Sequence, residues 1–279
     1  MGITYETAKL LKNARSRGVD YAHTLQVGRQ NLIMGRAEVR RLCLDPSTVL
    51  PEPWAFAEHF FKALGALAVD SLDASAFEGA SITLDLNRPV PTQTHGQFSA
   101  VVDVGTIEHV FDVARCLHNY MVMVRPGGHV ILHTPSNNYL EHGFHQFGPQ
   151  LFEQVFHRKN GFELIHLLQM EYAPTVRFWR PSSDAPTRES TTVWPTAVYV
   201  EARRIGDVPA VLDVQQQSYA TEWSRPSRSP DFGEIYPVGR KVRWRLLELF
   251  PRTCRMAERL YRGIGRRIGR TSGFTPTTP

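Results

Sequence analysis

Hydrophobic positions come in short continuous runs along this chain, separated by stretches in which they recur at helical spacing. Residues 1 to 18 read as a polar leading helix. Ala22 to Val27 reads as a short strand ending at Gly28. Helical patterns follow at about 35 to 44 and 54 to 65, parted by Pro46, Pro51 and Pro53, which break regular structure. Leu67 to Leu72 is a buried strand running into Asp73, Ser81 to Leu84 a shorter one running into Asp85, and Phe98 to Val104 the clearest central strand. Residues 111 to 124 are helical, and Pro126-Gly-Gly128 turns the chain into a strand at His129 to His133. Then come a helix at Phe147 to His157, a strand from about Phe162 to Gln169, and an excursion rich in proline, serine and arginine at Pro174 to Thr192. Val193 to Glu201 closes the series as a late strand, expected at an antiparallel edge. Strands that are apolar throughout, alternating with helices, predict a doubly wound α/β fold whose mainly parallel sheet is covered on both faces.

The 279 residues allow one large domain with an appendage. The expected division is a domain over 1–205, a linker over 206–237 and a basic amphipathic helical extension over 238–279. Charge sharpens that division. Between Val238 and Arg270 stand eleven basic residues against Glu248 and Glu258, a local net of +9 in a chain whose formal charge is +5, so the remainder carries about −4. Apolar and arginine positions interleave at helical spacing around Trp244, Leu246, Leu247 and Phe250. Such a segment suits peripheral contact with an anionic membrane, or packing on the domain. The negative body and the lack of a nucleic-acid-reading motif argue against nucleic acid as a partner. No stretch approaches the ~20 apolar residues of a spanning helix, and no basic start leads into a long apolar run; the expected location is the cytoplasm. Cys43, Cys116 and Cys254 have no CxxC spacing and read as buried thiols.

In an open parallel sheet, ligands bind beyond the carboxyl ends of the strands, near the point where strand order reverses. Those ends carry Gly28, Asp73, Asp85 with Asn87, Asp103 with Glu108 and His109, and His133 with Pro135. An acid closing the second strand suits the two ribose hydroxyls of an adenosine through charge-assisted hydrogen bonds. Asp73 is the first choice and Asp70 the reserve; the competing reading is that Asp73 caps the turn after it.

The run Phe98-Ser-Ala-Val-Val-Asp-Val-Gly-Thr-Ile-Glu-His-Val110, followed by Val124-Arg-Pro-Gly-Gly-His-Val-Ile131, resembles the class I S-adenosylmethionine (SAM)-dependent methyltransferases. Leu132-His-Thr-Pro135 and Asn160-Gly-Phe162 sit where such enzymes have them, and the resemblance spans roughly residues 20 to 202. It implies a Rossmann-like methyltransferase domain, SAM as cofactor and a small-molecule acceptor. Gly28 then matches the glycine against which the cofactor packs, Asp73 the ribose-binding acid, and Asp85 with Leu86 the pair flanking adenine. Asp103 lies at the end of the fourth strand, and Glu108 and His109 match the turn beside the methyl group. The chain departs from the family at Val27-Gly-Arg-Gln30, where further glycines are expected. That departure keeps a catalytically silent, methyltransferase-like binding module, acting through its basic tail, as the alternative.

Ser136 to Phe147 is dense in hydrogen-bonding groups and aromatics and lies next to the expected methyl position. A hydroxyl acceptor loses a proton as it attacks, and histidine is the natural acceptor of that proton. His142 and His145 come first, then His109. The same histidines could instead wall the pocket. A metal set of Glu141, His142 and His145, with His109, lacks a diagnostic spacing, so no metal is expected. His133 reads as a structural histidine. The polar, aromatic loop favours a sugar or glycoconjugate precursor as acceptor, methylated on oxygen or nitrogen.

Overall fold

Phe98–Val104 is buried at every position, and its side chains divide between two cores. Val101 points into one with Leu25, Val130, Leu132 and the helix residues Leu117, Tyr120 and Phe152. Ala100, Val102 and Val104 point into the other with Leu10, Leu11, Phe60 and Phe61. A strand with apolar residues on both faces needs cover on both, and helices supply it on each side.

The computed structural model describes residues 2–50, 56–181, 192–216 and 274–276. In chain order the elements are β1 (Gly2–Thr4), α1 (Tyr5–Ser16), β2 (His23–Val27), β3 (Asn31–Ile33), α2 (Arg36–Arg41), α3 (Pro46–Val49), α4 (Glu58–Ala63), β4 (Ala68–Asp73) and β5 (Ile82–Thr83). There follow β6 (Phe98–Val104), α5 (Val113–Met123), β7 (Val124–Asn137), α6 (Pro149–Val155), β8 (Phe162–Glu171), β9 (Arg177–Pro181), β10 (Thr196–Arg204) and β11 (Phe274–Pro276). The main sheet has the order β11-β9-β8-β10-β7-β6-β2-β4-β5. The pairs β2–β4, β2–β6, β4–β5 and β6–β7 are parallel, whereas β10 runs antiparallel to both β7 and β8. Strand order reverses between β2 and β6, so the crevice beyond their carboxyl ends is the switch point of a doubly wound sheet.

Several expectations need correction. The leading helix is amphipathic rather than polar: Thr7, Ala8, Leu10, Leu11 and Ala14 of α1 are buried at i, i+3 and i+4 spacing. The segment between Gly28 and the helix that starts at Arg36, where the sequence pattern predicts no element, is a short strand, β3, that pairs in parallel with β1. The late strand β10 is antiparallel but not at the edge. Thr196 to Ala202 are buried on both faces, and β7 and β8 pair with the backbone of β10 on its two sides. Part of the proline-rich excursion is itself a strand, β9, on the outer side of β8.

Residues 206–216, expected to open a linker, lie against the domain. Val208, Leu212 and Val214 pack on its core, and Asn160 joins Asp213 through the Asp213 amide to Asn160 Oδ1 (2.8 Å) and Asn160 Nδ2 to the Asp213 carbonyl (3.2 Å). Cys116 is buried as expected, but Cys43 is exposed, because α2 has ended at Leu42 and Cys43 takes a left-handed backbone (φ 55°) that turns it outward. The basic extension and Cys254 lie outside the described residues. No helix among the described residues is long and apolar enough to cross a membrane.

Candidate functional site

Asp103 and Glu108 organise the carboxyl end of β6. Asp103 is fully buried and accepts hydrogen bonds from the amides of Thr106 (2.7 Å) and Ile107 (3.0 Å) and from the Tyr120 hydroxyl (2.9 Å). Burial pushes its carboxyl up to about 6, against the opposing pull of these donors. Asp103, expected among the cofactor-binding groups, thus holds the turn at residues 105–109 through these hydrogen bonds.

That turn throws Glu108 inward and His109 outward. Glu108 is 0% exposed; its Oε2 accepts from the Thr134 hydroxyl (2.9 Å), while its Oε1 finds no hydrogen-bond donor among the described residues. Burial, and then the charge of Asp103, push its carboxyl up to about 7. Oε1 faces Nε2 of His142 at 3.8 Å, beyond hydrogen-bonding distance. The rings of His109 and His142 lie 5.4 Å apart, and Tyr139 stands 5.7 Å from His142. His109 is held below the usual imidazole range by burial first and by the neighbouring His142 second.

The loop that carries His142 is tied to the β6 turn through the backbone. The Glu108 carbonyl accepts from the amides of Phe144 (2.8 Å) and His145 (3.2 Å). A Cβ on Gly143 would come within 2.8 Å of that same carbonyl, so only glycine lets the two segments approach this closely. His145 is directed elsewhere: its Nε2 lies 3.2 Å from the Phe111 carbonyl and its ring packs on Phe147. Glu141 is exposed. Of the histidines singled out in the sequence, the structure brings together His109 and His142 and leaves His145 in the wall. Phe111 and Phe144, both largely exposed, form an edge-to-face pair beside it. His133 is buried between the Thr7 and Tyr172 hydroxyls, and burial holds it down at about 4, which fits a neutral structural histidine.

At the other side of the crevice, Asp73 is half-buried at the end of β4, with one long contact from the Ser75 amide (3.4 Å). Most of its acceptor capacity is open. The reserve, Asp70, is engaged with His23 and Ser81, each at 2.9 Å. Asp85 is exposed and turns onto the Asn87 amide and side chain, while Leu86 is buried in the core. Gly28 has φ +69°, a conformation that favours glycine. The place a Cβ would take there is already met by Thr106 Oγ1 (2.6 Å) and Gln30 Nε2 (3.1 Å), and both groups donate to the Val27 carbonyl. Arg29 is drawn off sideways, over the Phe56 ring and onto Glu58. An adenosyl cofactor would find Asp73 with open acceptor capacity. At Gly28 it is the ends of Gln30 and Thr106, both rotatable, that would have to give way.

The fold is of the Rossmann-like α/β class, with a mainly parallel, doubly wound sheet. No family model matches the sequence, and a search of curated proteins finds no match. Solved structures do match. One is 1,6-didemethyltoxoflavin-N1-methyltransferase of Burkholderia thailandensis, with bound 1,6-didemethyltoxoflavin and S-adenosylhomocysteine (14% identity, 72% of this chain and 77% of that one, TM-score 0.39). Another is an S-adenosylmethionine-dependent methyltransferase of Mesorhizobium loti (17%, 72% and 100%, 0.39). A third is the N-methyltransferase NodS of Bradyrhizobium japonicum (12%, 72% and 96%, 0.38).

Proposed function

We propose that this protein is a SAM-dependent methyltransferase acting on an oxygen or nitrogen of a small polar acceptor. The observation that carries the proposal is the cluster of Glu108, His109 and His142 beyond the carboxyl ends of β6 and β7, with Asp73 at the carboxyl end of β4 on the other side of the point where strand order reverses. When bound, SAM supplies an electrophilic methyl group. Asp73 accepts hydrogen bonds from the ribose hydroxyls, and the Glu108–His109 turn borders the methyl group. His142 faces the acceptor and takes its proton, while the loop after β7 aligns the acceptor and keeps water out. The Phe111–Phe144 pair offers an apolar face, and Tyr139 and Asn137 offer polar groups. A sugar or glycoconjugate precursor, with an apolar ring face and hydroxyl edges, suits that combination.

Calorimetric titration with SAM and S-adenosylhomocysteine tests the proposal. Wild-type protein is expected to bind both, and Asp73→Ala to lose about 1.5–3 kcal/mol, the scale of hydrogen bonds to a charged group. Gln30→Gly is expected to move the other way. If the Gln30 amide must leave the Val27 carbonyl on binding, deleting it removes a cost of about 1 kcal/mol, and S-adenosylhomocysteine should bind about fivefold more tightly. A second reading, a silent methyltransferase-like module, is favoured by the closure of Gly28 under Thr106 and Gln30. No heat with either ligand, in wild type and Gln30→Gly alike, would decide for the module.

A further inference from the structure

Glu108, His109 and His142 offer one carboxylate oxygen and two imidazole nitrogens that lie within 4.8 Å of one another. Proximity of such groups is common enough on protein surfaces; the buried carboxylate sets this cluster apart. Glu108 is completely enclosed, Thr134 satisfies its Oε2, and its Oε1 has no donor among the described residues. A buried carboxyl oxygen without a partner is costly and rare. This one points into the gap beneath His142, whose Nε2 is 3.8 Å away, too far for a hydrogen bond but on the same opening.

We propose that this gap is a binding site for a divalent first-row transition metal, held by Glu108 Oε1, His109 and His142. Two imidazoles and one carboxylate suit zinc, manganese, iron or cobalt, and are too nitrogen-rich for calcium or magnesium. Ligand atoms around such an ion at 2.0–2.2 Å stand about 3 Å apart. Closing the cluster therefore asks the two exposed rings to move by roughly an ångström, while Glu108 stays fixed. Thr134 is the positioning residue: its hydroxyl orients the carboxylate so that Oε1 faces the ion, the outer-shell arrangement metal sites ordinarily use. Three protein ligands leave at least one coordination position for water or an oxygen of a bound small molecule. With an ion in place, His142 would be a ligand and would no longer be the proton acceptor. The metal site itself does not depend on the methyltransferase proposal.

Chelator-treated full-length protein should be titrated calorimetrically with zinc, manganese and cobalt chlorides, with the visible spectrum of the cobalt form as a second readout. One equivalent is expected to bind saturably. Glu108→Gln and His142→Ala should each weaken binding at least about tenfold, and Thr134→Val by about 10–100-fold. His145→Ala, whose ring nitrogen is on the Phe111 carbonyl, should bind as wild type does. Because Glu108 is buried, its variant could fail to fold; His142→Ala, on an exposed loop, then carries the test, with circular dichroism as the check on folding. Absence of saturable binding in wild type, or equal binding by wild type and His142→Ala, would overturn the site. S-adenosylhomocysteine binding is measured separately, so loss of one ligand is distinguishable from loss of the other.

Discussion

Replacing His142 with alanine is expected to lower methyl transfer by about 10²–10⁴-fold, the usual contribution of a positioned proton acceptor, with S-adenosylhomocysteine affinity near that of wild type. The loop that carries this histidine is fastened by backbone hydrogen bonds to the Glu108 carbonyl and by the Gly143 contact, none of which involves the imidazole. Among the described residues its ring lies beside Glu108, His109 and Tyr139. The substitution thus removes a reactive group and leaves its platform intact. His145→Ala is the matched comparison: same loop, same residue type, but a ring turned onto Phe111 and Phe147. Its loss should cost less than about tenfold, short of the roughly 10²–10⁴-fold that an acid–base group contributes. The assay is a screen of hydroxylated and amine acceptors with labelled SAM, followed by turnover on whichever responds. Equal rates for the two variants would remove His142 from the chemistry. A wild-type rate that collapses in chelator and returns with zinc or manganese would mark His142 as a ligand rather than a base.

Arg17→Met should cost about 3–5 kcal/mol of folding stability at neutral pH, the range found when one partner of a buried ion pair is removed. Glu201, in the middle of β10, is fully buried; its Oε2 accepts from Arg17 Nε (3.0 Å) and Nη2 (2.8 Å), and the Tyr199 hydroxyl lies 3.5 Å away. Burial already raises the Glu201 carboxyl above its ordinary value, and Arg17 works against that rise. Without Arg17 the upward shift grows. A carboxyl whose folded pKa is raised favours the folded state at pH below its unfolded pKa, about 4.3, and loses that contribution as pH climbs through the folded pKa. The defect of Arg17→Met should therefore widen between about pH 4 and neutrality and shrink on acidification. Urea midpoints at pH 5 and pH 8 would read it, and adding Glu201→Gln should recover part of the loss at pH 8. A pH-independent defect would mean that the arginine acts through packing of its stem and not through the buried charge.

Most of the sheet was legible because its strands are apolar on both faces. Phe98–Val104 could hardly be anything else, whereas the strand ending at Asp73, expected to be buried from Leu67, leaves Leu67 and Ala68 exposed and buries only Ser71 and Leu72; Gly28, Asp73 and Glu108 lie at the strand ends where the pattern put them. What periodicity could not show was neighbourhood. Nothing in the residues 193–204 says that they enter between two earlier strands; only the pairing of β10 with both β7 and β8 shows it. The same limit applies at the site. Glu141 adjoins His142 in sequence and was grouped with it, yet Glu141 has a positive φ (64°) and is exposed, whereas Glu108, distant in sequence, supplies the buried carboxylate. Asp103 looked like a ligand-binding acid because of its place after β6; its three donors come from Thr106, Ile107 and Tyr120, and the last of these lies a whole helix away. The Arg29–Gln30 departure was visible, but not the short strand β3 that follows it.

The position of β10 has a consequence for how the chain reaches its native state. β8 is made before β10, yet it cannot join the sheet directly, because the place beside β7 belongs to a strand that comes later. Until residues 196–204 have left the ribosome, β7 and β8 each present a bare row of backbone donors and acceptors. Pairing β7 with β10 also closes a loop of some length, which is entropically slow. Completion of the domain is therefore a late event in synthesis, and the interval before it is when these two edges are open to wrong partners, including one another and the strands of a second nascent chain.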